Sequence, residues 1–159
     1  MPTQVYAQLS IDESNARMGF SGEHAGMKFE GIFKKWSATL TLPPAENASI
    51  EASFSVNSAH TGDSTYDETL PEEDWFFVEK FPNANFTSTS IELKNNGYLV
   101  TGTLTLRNIE NEVNFVLEKL NKGYKADFTI DRLAFDIGKE SDPEAEWVSR
   151  EIVISLTID

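Results

Sequence analysis

Cysteine is absent from all 159 residues of the sequence. Its absence excludes disulfide scaffolds, thiol nucleophiles, cysteine-based zinc sites and iron–sulfur clusters. It does not assign a cellular compartment, because a domain of this length buries about two thirds of its unfolded surface and does not need disulfides to be stable. Any function of the chain must therefore use other side chains.

Basic residues are also scarce, with 13 Lys and Arg against 26 Asp and Glu and a formal net charge of −13. An electrostatic field of that sign repels nucleic acids and anionic membrane surfaces, so no nucleic-acid partner is expected. Calcium binding is a more specific explanation of the excess of acidic residues, but no D-x-D-x-D-G loop with a distal glutamate occurs. The acidic composition is better explained by solubility, and we predict no metal site.

Long apolar segments are missing as well. No run approaches the roughly 20 residues that a membrane-spanning helix needs, so no membrane span is expected. The first ten residues, MPTQVYAQLS, lack the basic start and apolar stretch of a signal peptide. If the protein is exported, its leader has been removed from this chain.

The dominant pattern is a two-residue alternation of apolar and polar side chains, interrupted by turn residues. It is clearest over residues 50–56 and 98–106, and an Asn-Gly pair at positions 96 and 97 predicts a hairpin. About eight such strands occur, with one short helical insert around residues 58–80. This pattern predicts an all-β antiparallel barrel or sandwich.

Several details of the pattern give further expectations. Residues 28–42 are predicted to form one long strand, with Gly31 at a bend or bulge. Pro71 is followed by acidic residues and fits the first turn of a short helix that continues into an aromatic stretch. No internal repeat or linker is visible, so residues 1–159 are predicted to form a single domain.

The aromatic stretch, residues 74–86, reads DWFFVEKFPNANF and contains five rings. Trp75, Phe76 and Phe77 are consecutive, and neither a helix nor a half-buried strand can turn three adjacent side chains to one face. Either this segment fills an apolar interior from several sides, or some of its rings contact something other than protein.

A search for catalytic groups finds little. His24 and His60 lie in separate loop-like contexts without metal-ligand spacing, and neither a G-x-S-x-G elbow nor a phosphate-binding loop is present. Asp63 and Asp67 share a loop with His60, but Asp is also well suited to cap turns, which is the interpretation we favour. We therefore predict no catalytic residues and a protein that is not an enzyme.

The chain carries the ordered pattern T-G-D…D…L…W-F…P-x-A-x-F. Further features lie in four segments that together span most of residues 5–158, namely MGFSGEHAGMKFEGIFKKWSATLTL (residues 18–42), SAHTGDSTYDETLPEEDWFFVEKFPNANFTSTSIE (58–92), GYLVTGTLTLRNIENEVNFVLEKL (97–120) and the closing residues 128–158. In this pattern and these segments the chain resembles the YceI-like family of lipocalin-like barrels.

The resemblance implies an eight-stranded antiparallel lipocalin-like barrel with an apolar tunnel that holds a polyisoprenoid chain, such as a quinone tail or a prenyl diphosphate. It implies a carrier or sequestering protein that binds this isoprenoid lipid non-covalently and has no cofactor. Members are typically exported to the periplasm of Gram-negative bacteria. Some relatives occur fused to, or beside, membrane cytochrome b domains, which makes such a cytochrome a candidate partner.

The resemblance also suggests where the ligand is bound. The positions that match the family pattern are Trp75, Phe76, Phe77, Phe81, Phe86, His24, Phe29, Asp67 and Leu70. Phe54, on an apolar strand face, completes the expected apolar wall, and His60 and Tyr66 are candidate hydrogen-bond partners of a headgroup. Within the aromatic stretch, Phe81 and Phe86 are expected to be mainly barrel wall, and Trp75 and Phe77 the main ligand contacts.

One departure from the family pattern bears on the headgroup. Many relatives carry an arginine before the matched Asp and another basic residue after the matched Leu, where this chain has Tyr66 and Pro71. Arginine is the natural bidentate partner of a diphosphate. Its absence from an acidic loop favours a neutral quinone ring, which could stack on Trp75 or accept a hydrogen bond from His60 or Tyr66.

Two other functions remain open at this point. An enzyme could be built in a lipocalin-like cavity from His60 or His24 and a nearby carboxylate, which requires such a pair inside the cavity. Alternatively, a barrel with a filled core could act through a protein–protein interface, for example in a homodimer. A continuous apolar channel favours lipid binding, and a packed interior favours the interface.

Overall fold

The computed structural model describes residues 8–159. The seven residues before them, in which the sequence shows no signal-peptide pattern, lie outside this range. The described residues form eleven strands, one α-helix and two short 3-10 helices at Val56–Ser58 and Arg132–Phe135. The strands and the helix are β1 (Gln8–Asp12), β2 (Ala16–His24), β3 (Met27–Phe33), β4 (Trp36–Thr41), β5 (Ser49–Ser55), β6 (Ala59–His60), α1 (Ser64–Thr69), β7 (Asn83–Lys94), β8 (Gly97–Leu106), β9 (Ile109–Lys119), β10 (Tyr124–Asp131) and β11 (Glu151–Ile158).

All strands belong to one curled antiparallel sheet, which confirms the predicted all-β, lipocalin-like barrel architecture. The strand order is β1-β4-β5-β7-β8-β9-β10-β11-β2-β3-β6. The sheet has eleven strands where about eight were predicted, partly because residues 28–42 are not one strand. The exposed Lys34 and Lys35 separate β3, which pairs with β2 and β6, from β4, which pairs with β1 and β5.

The predicted alternation places the core as expected. In β5, Ile50 and Phe54 are buried and Glu51 and Ser53 are exposed. The same alternation holds along β8, where every second residue from Val100 to Leu106 is buried. Because each strand turns one apolar face inward, the curled sheet encloses a continuous hydrophobic interior.

Gly31 does not mark a bulge, one of the two features predicted for it. Its strand keeps a continuous register with β2, and Gly31 pairs directly with Phe20. A Cβ atom at position 31 would come within 2.3 Å of the Phe20 ring. The close packing of this cross-strand ring therefore explains the need for glycine at this position.

The helix of the insert also differs from the prediction. It ends at Thr69, before Pro71, and does not start there. Asp63 is its N-cap and accepts hydrogen bonds from the backbone N–H groups of Thr65 and Tyr66, as the turn-capping interpretation of that residue predicted. The connection between β6 and β7, residues 61–82, is called the insert below.

No helix within residues 8–159 combines the length and apolar character needed to cross a membrane.

Candidate functional site

The curled sheet surrounds an apolar cavity. The space open to the centre of a water-sized sphere is about 140 Å³. All lining residues except Arg132 are apolar. They are Ile11, Met18, Phe20, Phe29, Phe33, Trp36, Ala38, Leu40, Ile50, Ala52, Phe54, Leu70, Trp75, Phe76, Phe86, Leu104, Leu106, Phe115, Leu117, Phe128, Ile130, Arg132, Ile137, Val148, Ile152, Ile154 and Leu156.

The size of this cavity limits what it holds without rearrangement. An apolar cavity of about 150 Å³ accommodates benzene, so the observed space corresponds to about one five-carbon isoprene unit. A longer chain requires side chains of the wall to move. The wall is rich in Phe, Leu and Ile side chains and includes Met18, whose unbranched thioether adapts readily to a new shape.

The structure divides the predicted ligand-binding residues into two sets. Those that line the cavity are Phe29, Phe54, Leu70, Trp75, Phe76 and Phe86. Those that do not are His24, His60, Tyr66, Asp67, Phe77 and Phe81. The first set comes from five separate parts of the chain, namely β3, β5, the end of α1, the turn that follows it and β7, and the fold brings these parts together around one space.

The three consecutive rings are accommodated by a change of backbone direction. Trp75 and Phe76 turn toward the cavity, whereas Phe77 has a φ of 49°, in the left-handed region. Phe77 instead packs edge-on against Phe81 with ring centroids 5.6 Å apart, and the Lys80 ammonium lies 6.0 and 5.3 Å from these two rings. The aromatic stretch thus supplies three rings to the cavity wall, Trp75, Phe76 and Phe86, and an outer pair, Phe77 and Phe81.

Arg132 lines the cavity, and the sequence did not point to it. Its guanidinium lies 5.8 Å from the centroid of the Trp75 ring, and the residue as a whole is only 1% exposed. Nε donates to the Ser149 carbonyl at 3.0 Å, Nη1 to the Ile137 carbonyl at 2.8 Å, and Nη2 to the Asp142 carboxylate at 3.0 Å. The sequence feature that could have identified it is an arginine between the apolar residues Ile130 and Leu133, next to Asp131.

Asp142 is the buried partner of Arg132. Its carboxylate also accepts hydrogen bonds from the backbone N–H groups of Glu146, Trp147 and Val148 at 2.9–3.1 Å. Burial alone would raise the pKa of Asp142, but these amides and Arg132 outweigh it, so the pKa is lowered. The pair therefore stays ionised and holds the loop between residues 136 and 149 in place.

A second set of contacts joins this loop to the insert. Asp74 accepts hydrogen bonds from the backbone N–H groups of Glu140 and Ser141 at 2.9 and 2.8 Å and from the Ser141 hydroxyl. Arg107 donates to the carbonyls of Glu73 and Asp136. Burial tends to raise the pKa of Asp74, but the hydrogen bonds and Arg107 lower it.

Gly138 lets this loop approach the Trp75 ring closely. Its φ is +72°, and its N–H donates to the Asp74 carbonyl at 2.6 Å. A Cβ atom at position 138 would lie 2.8 Å from both the Trp75 ring and the Arg132 guanidinium. Trp75 is therefore held on one side by the loop and faces the cavity on the other.

The two histidines lie beside α1, outside the cavity wall. His24 Nδ1 is 2.7 Å from the Tyr66 hydroxyl, and Tyr66 packs against Phe29 with ring centroids 5.8 Å apart. His60 Nδ1 is 3.0 Å from the Asp67 carboxylate, and the two side chains are 45% and 24% exposed.

Asp67 also holds the loop that precedes α1. It accepts hydrogen bonds from the Thr61 N–H and hydroxyl at 2.8 and 2.7 Å. Burial would raise the pKa of Asp67, but Thr61 and then His60 lower it. The His60–Asp67 pair, the one His–carboxylate pair found among the described residues, therefore holds the start of the insert and does not line the cavity.

Within residues 8–159, no cluster of three or more His, Asp or Glu side chains is arranged to hold a metal ion.

Comparison with known proteins gives consistent matches over most of the chain. A UPF0312 protein from Photorhabdus laumondii is 32% identical over 120 residues, which are 73% of this chain and 62% of that protein. Protein YceI from Salmonella arizonae is 27% identical over 169 aligned residues, covering 96% of this chain and 86% of the relative.

Solved structures show the same fold. BcnA from Burkholderia cenocepacia superimposes with a TM-score of 0.83 at 26% identity, covering 93% of this chain and 98% of that one. A polyisoprenoid-binding domain from Saccharophagus degradans, implicated in plant cell wall breakdown, has a TM-score of 0.69 at 12% identity and covers 97% of both chains. At that identity the likeness concerns the fold alone.

The family model of the YceI-like domain matches residues 9–159 of this chain. Because this match spans nearly the whole sequence, the chain belongs to the YceI-like family.

Proposed function

We propose that this protein binds the hydrocarbon tail of an isoprenoid lipid inside its curled sheet. The observation that supports this most directly is the cavity itself, whose wall is apolar except for Arg132. A barrel with a filled core would not leave such a space. Binding sites for small molecules are typically concave and mostly apolar, with few polar groups.

The energetics of such a ligand are favourable without specific polar contacts. Each methylene group transferred from water into an apolar site contributes about 0.8 kcal/mol. An isoprene unit carries five carbons, so a tail of a few units supplies substantial affinity even after the cost of moving wall side chains. The protein then needs no catalytic groups, in agreement with the sequence search.

The cavity-lining set of predicted residues provides the proposed tail contacts. Phe29, Phe54 and Phe86 come from three strands of the wall, and Leu70, Trp75 and Phe76 close it from the insert. We expect Trp75 to be the main contact of the insert because its ring is held in place by Arg132 and Gly138.

The charges around the insert favour a neutral headgroup, and we propose a quinone ring over a prenyl diphosphate. Asp63 and Asp67 contribute negative charge to the insert, and Tyr66 and Pro71 occupy positions at which many relatives have basic residues. Among residues 8–159, Arg132 is the one cation that lines the cavity, but its Nε, Nη1 and Nη2 atoms all donate to protein oxygens. It is therefore poorly placed to bind a diphosphate.

The role that we propose is that of a carrier or sequestering protein for this lipid in the periplasm, with a membrane cytochrome b as one candidate recipient. The polyisoprenoid-binding domain from Saccharophagus degradans, which has the same fold, supports the ligand class. The location is tested by fractionation of host cells, in which the protein is expected in the osmotic-shock fluid and not in the spheroplasts.

Mass spectrometry of an apolar extract tests the ligand. The protein is purified from its own host without detergent, extracted with organic solvent and compared with an extract of a heat-unfolded, re-purified sample as the control. We expect a quinone with an isoprenoid tail, released only by extraction of the folded protein. Recovery of prenyl diphosphates alone would refute the headgroup assignment, and recovery of no isoprenoid under any growth condition would refute the proposed function.

A further inference from the structure

The sheet ends beside the insert. On one edge, β3 pairs with β2 along Met27–Ile32, but on its other edge it pairs with β6 only at Ile32 and Phe33. Within the described residues, the part of β3 from Met27 to Glu30 therefore has no strand on that edge. Here the wall is completed by side chains of α1 and not by backbone hydrogen bonds.

Phe29 and Tyr66 form this part of the wall. Phe29 lines the cavity on the inside, and it also lines a surface depression on the outside together with Lys28, Thr61, Asp63 and Tyr66. The Phe29 and Tyr66 rings are 5.8 Å apart. A single layer of aromatic side chains thus separates the solvent from the interior, and we call this contact between Phe29 and Tyr66 the β3–α1 seam.

The seam is weakly closed. Of the side-chain hydrogen bonds that α1 makes within the described residues, the one between the Tyr66 hydroxyl and His24 Nδ1 reaches a distant strand. The others are local, because Asp67 accepts from Thr61 and contacts His60 just before the helix, and the Thr69 hydroxyl donates to the Thr65 carbonyl within it. No residue of α1 is fully buried. Few buried contacts and locally satisfied hydrogen bonds are features of regions that open at low cost.

The Trp75 side of the insert is more firmly closed, because it is held by the Arg132–Asp142 pair and by Asp74. At the opposite end of the barrel, Tyr98 and Tyr124 pack with ring centroids 6.4 Å apart. There β8 pairs with β9 along its length and β10 pairs with β11 along its length, but β10 pairs with β9 only at Tyr124 and Lys125.

We propose that the lipid tail enters and leaves the cavity sideways through the β3–α1 seam, with Tyr66 and Phe29 swinging apart and the His24–Tyr66 hydrogen bond holding the seam shut. This inference rests on the proposed function. In it, Tyr66 controls the rate of exchange, and the residues of the cavity wall control the affinity.

Stopped-flow tryptophan fluorescence tests the route. Two of the three tryptophans, Trp36 and Trp75, line the cavity, and a quinone quenches tryptophan emission on binding. Ubiquinone-2 is the probe, and Tyr66→Phe is compared with the matched control Tyr98→Phe, which removes a hydroxyl at the opposite end. Thermal unfolding verifies that both variants are folded.

We expect Tyr66→Phe to raise the rates of binding and release together by about fivefold, the effect of losing one hydrogen bond that holds the seam shut. Tyr98→Phe is expected to change neither rate. Altered rates in Tyr98→Phe but not in Tyr66→Phe would place the entrance at the other end and overturn the proposal. Absence of saturable quenching in the wild type would refute the proposed function, and this inference with it.

Cross-linking provides a second test. Because the sequence has no native cysteine, the reagent reacts only with the introduced ones. The double variant Lys28→Cys/Asp63→Cys, whose positions flank the seam, is joined by a flexible bifunctional methanethiosulfonate. The control is Glu51→Cys/Thr87→Cys on the paired strands β5 and β7. We expect the seam cross-link to slow uptake by about tenfold or more and a reductant to restore it. Equal uptake before and after cross-linking the seam would overturn the proposal.

Discussion

The two halves of the insert are held to the rest of the molecule in very different ways. In the first half, α1 is capped by Asp63 and joined to a distant strand by the Tyr66–His24 hydrogen bond. In the second half, the turn that carries Trp75 is fixed by Asp74 and by the buried Arg132, which connect it to loop 136–149. Both halves contribute apolar side chains to the same cavity.

This difference shows that one connection can combine a fixed wall and a movable one. The buried ion pair lies behind the Trp75 turn and is fully hydrogen-bonded, so breaking it is costly. The contacts of α1 are partly exposed and are screened by solvent, so they are worth little individually. A lipid-binding site needs both properties, because the wall must define the cavity and yet admit a long chain.

The largest expected effect is the loss of the buried ion pair. Arg132→Leu leaves the Asp142 carboxylate buried without its charged partner, and we expect a loss of about 3–5 kcal/mol in the free energy of unfolding. The control is Arg150→Leu, which breaks the exposed Arg150–Asp131 pair and should cost about 0–1 kcal/mol. Urea denaturation measures both losses in the free energy of unfolding. Equal losses would contradict the conclusion that the second half of the insert is firmly fixed.

The next effect concerns the two kinds of ring in the aromatic stretch. Trp75→Ala opens the cavity wall and removes the contact with Arg132, so we expect about tenfold weaker binding of an isoprenoid quinone and a loss of about 2–4 kcal/mol in stability. Phe77→Ala alters only the outer pair of rings and should leave affinity within about twofold. Binding titrations of the two variants compare them directly, and stronger loss in Phe77→Ala would reverse the assignment of inner and outer rings.

Acid should weaken the second half through Asp142. The pKa of this carboxyl is lower in the folded protein than its usual value, so its contribution to stability is present above about pH 4, the range of unfolded Asp, and is lost as pH falls through the folded pKa. Unfolding by urea between pH 7 and pH 3 measures this slope. Asp142→Asn is expected to be less stable at pH 7 and to show a flatter decline, and an unchanged slope would refute the role of this group.

The smallest effect is expected in α1. Asp67→Asn weakens the contacts to Thr61 and His60, and hydrogen exchange at the Asp67 and Leu70 amides should become about fivefold faster, as expected for the loss of about 1 kcal/mol. The amides of Trp75 and Phe77, which both donate to the Glu72 carbonyl in the second half, serve as the internal control and should be unaffected. Faster exchange in both halves alike would show that they open as one unit.

Much of the fold was predictable because the sheet follows a two-residue period. The alternation in β5 and β8 identified which side chains face inward, and the Asn-Gly pair at positions 96 and 97 marked the hairpin between β7 and β8. The division between β3 and β4 was not predicted, since a local period cannot show where a chain leaves one pair of neighbours for another. Gly31 was misinterpreted for the same reason, because Phe20 approaches it from a different strand.

The candidate site was partly predictable. The resemblance to the YceI-like family pointed to the aromatic stretch, and the structure places Trp75, Phe76 and Phe86 on the cavity wall. The outward position of Phe77 depends on its positive φ, which no residue pattern in this stretch indicates. The role of Arg132 depends on acceptors as far away as Ser149, so it appears only once the chain is folded.

The claim that an isoprenoid tail occupies the interior is tested most directly by filling that interior. Ala52 lines the cavity and the adjacent Ser53 is exposed on the outer face of the same strand, so Ala52→Phe and Ser53→Phe add rings of similar size to opposite sides of the wall. The measurement is equilibrium binding of ubiquinone-2 to both variants, after thermal unfolding has shown that both are folded. We predict that Ala52→Phe weakens binding by about tenfold or more, because the ring takes up space that the tail requires, and that Ser53→Phe binds as the wild type does. Wild-type affinity in folded Ala52→Phe would contradict the account.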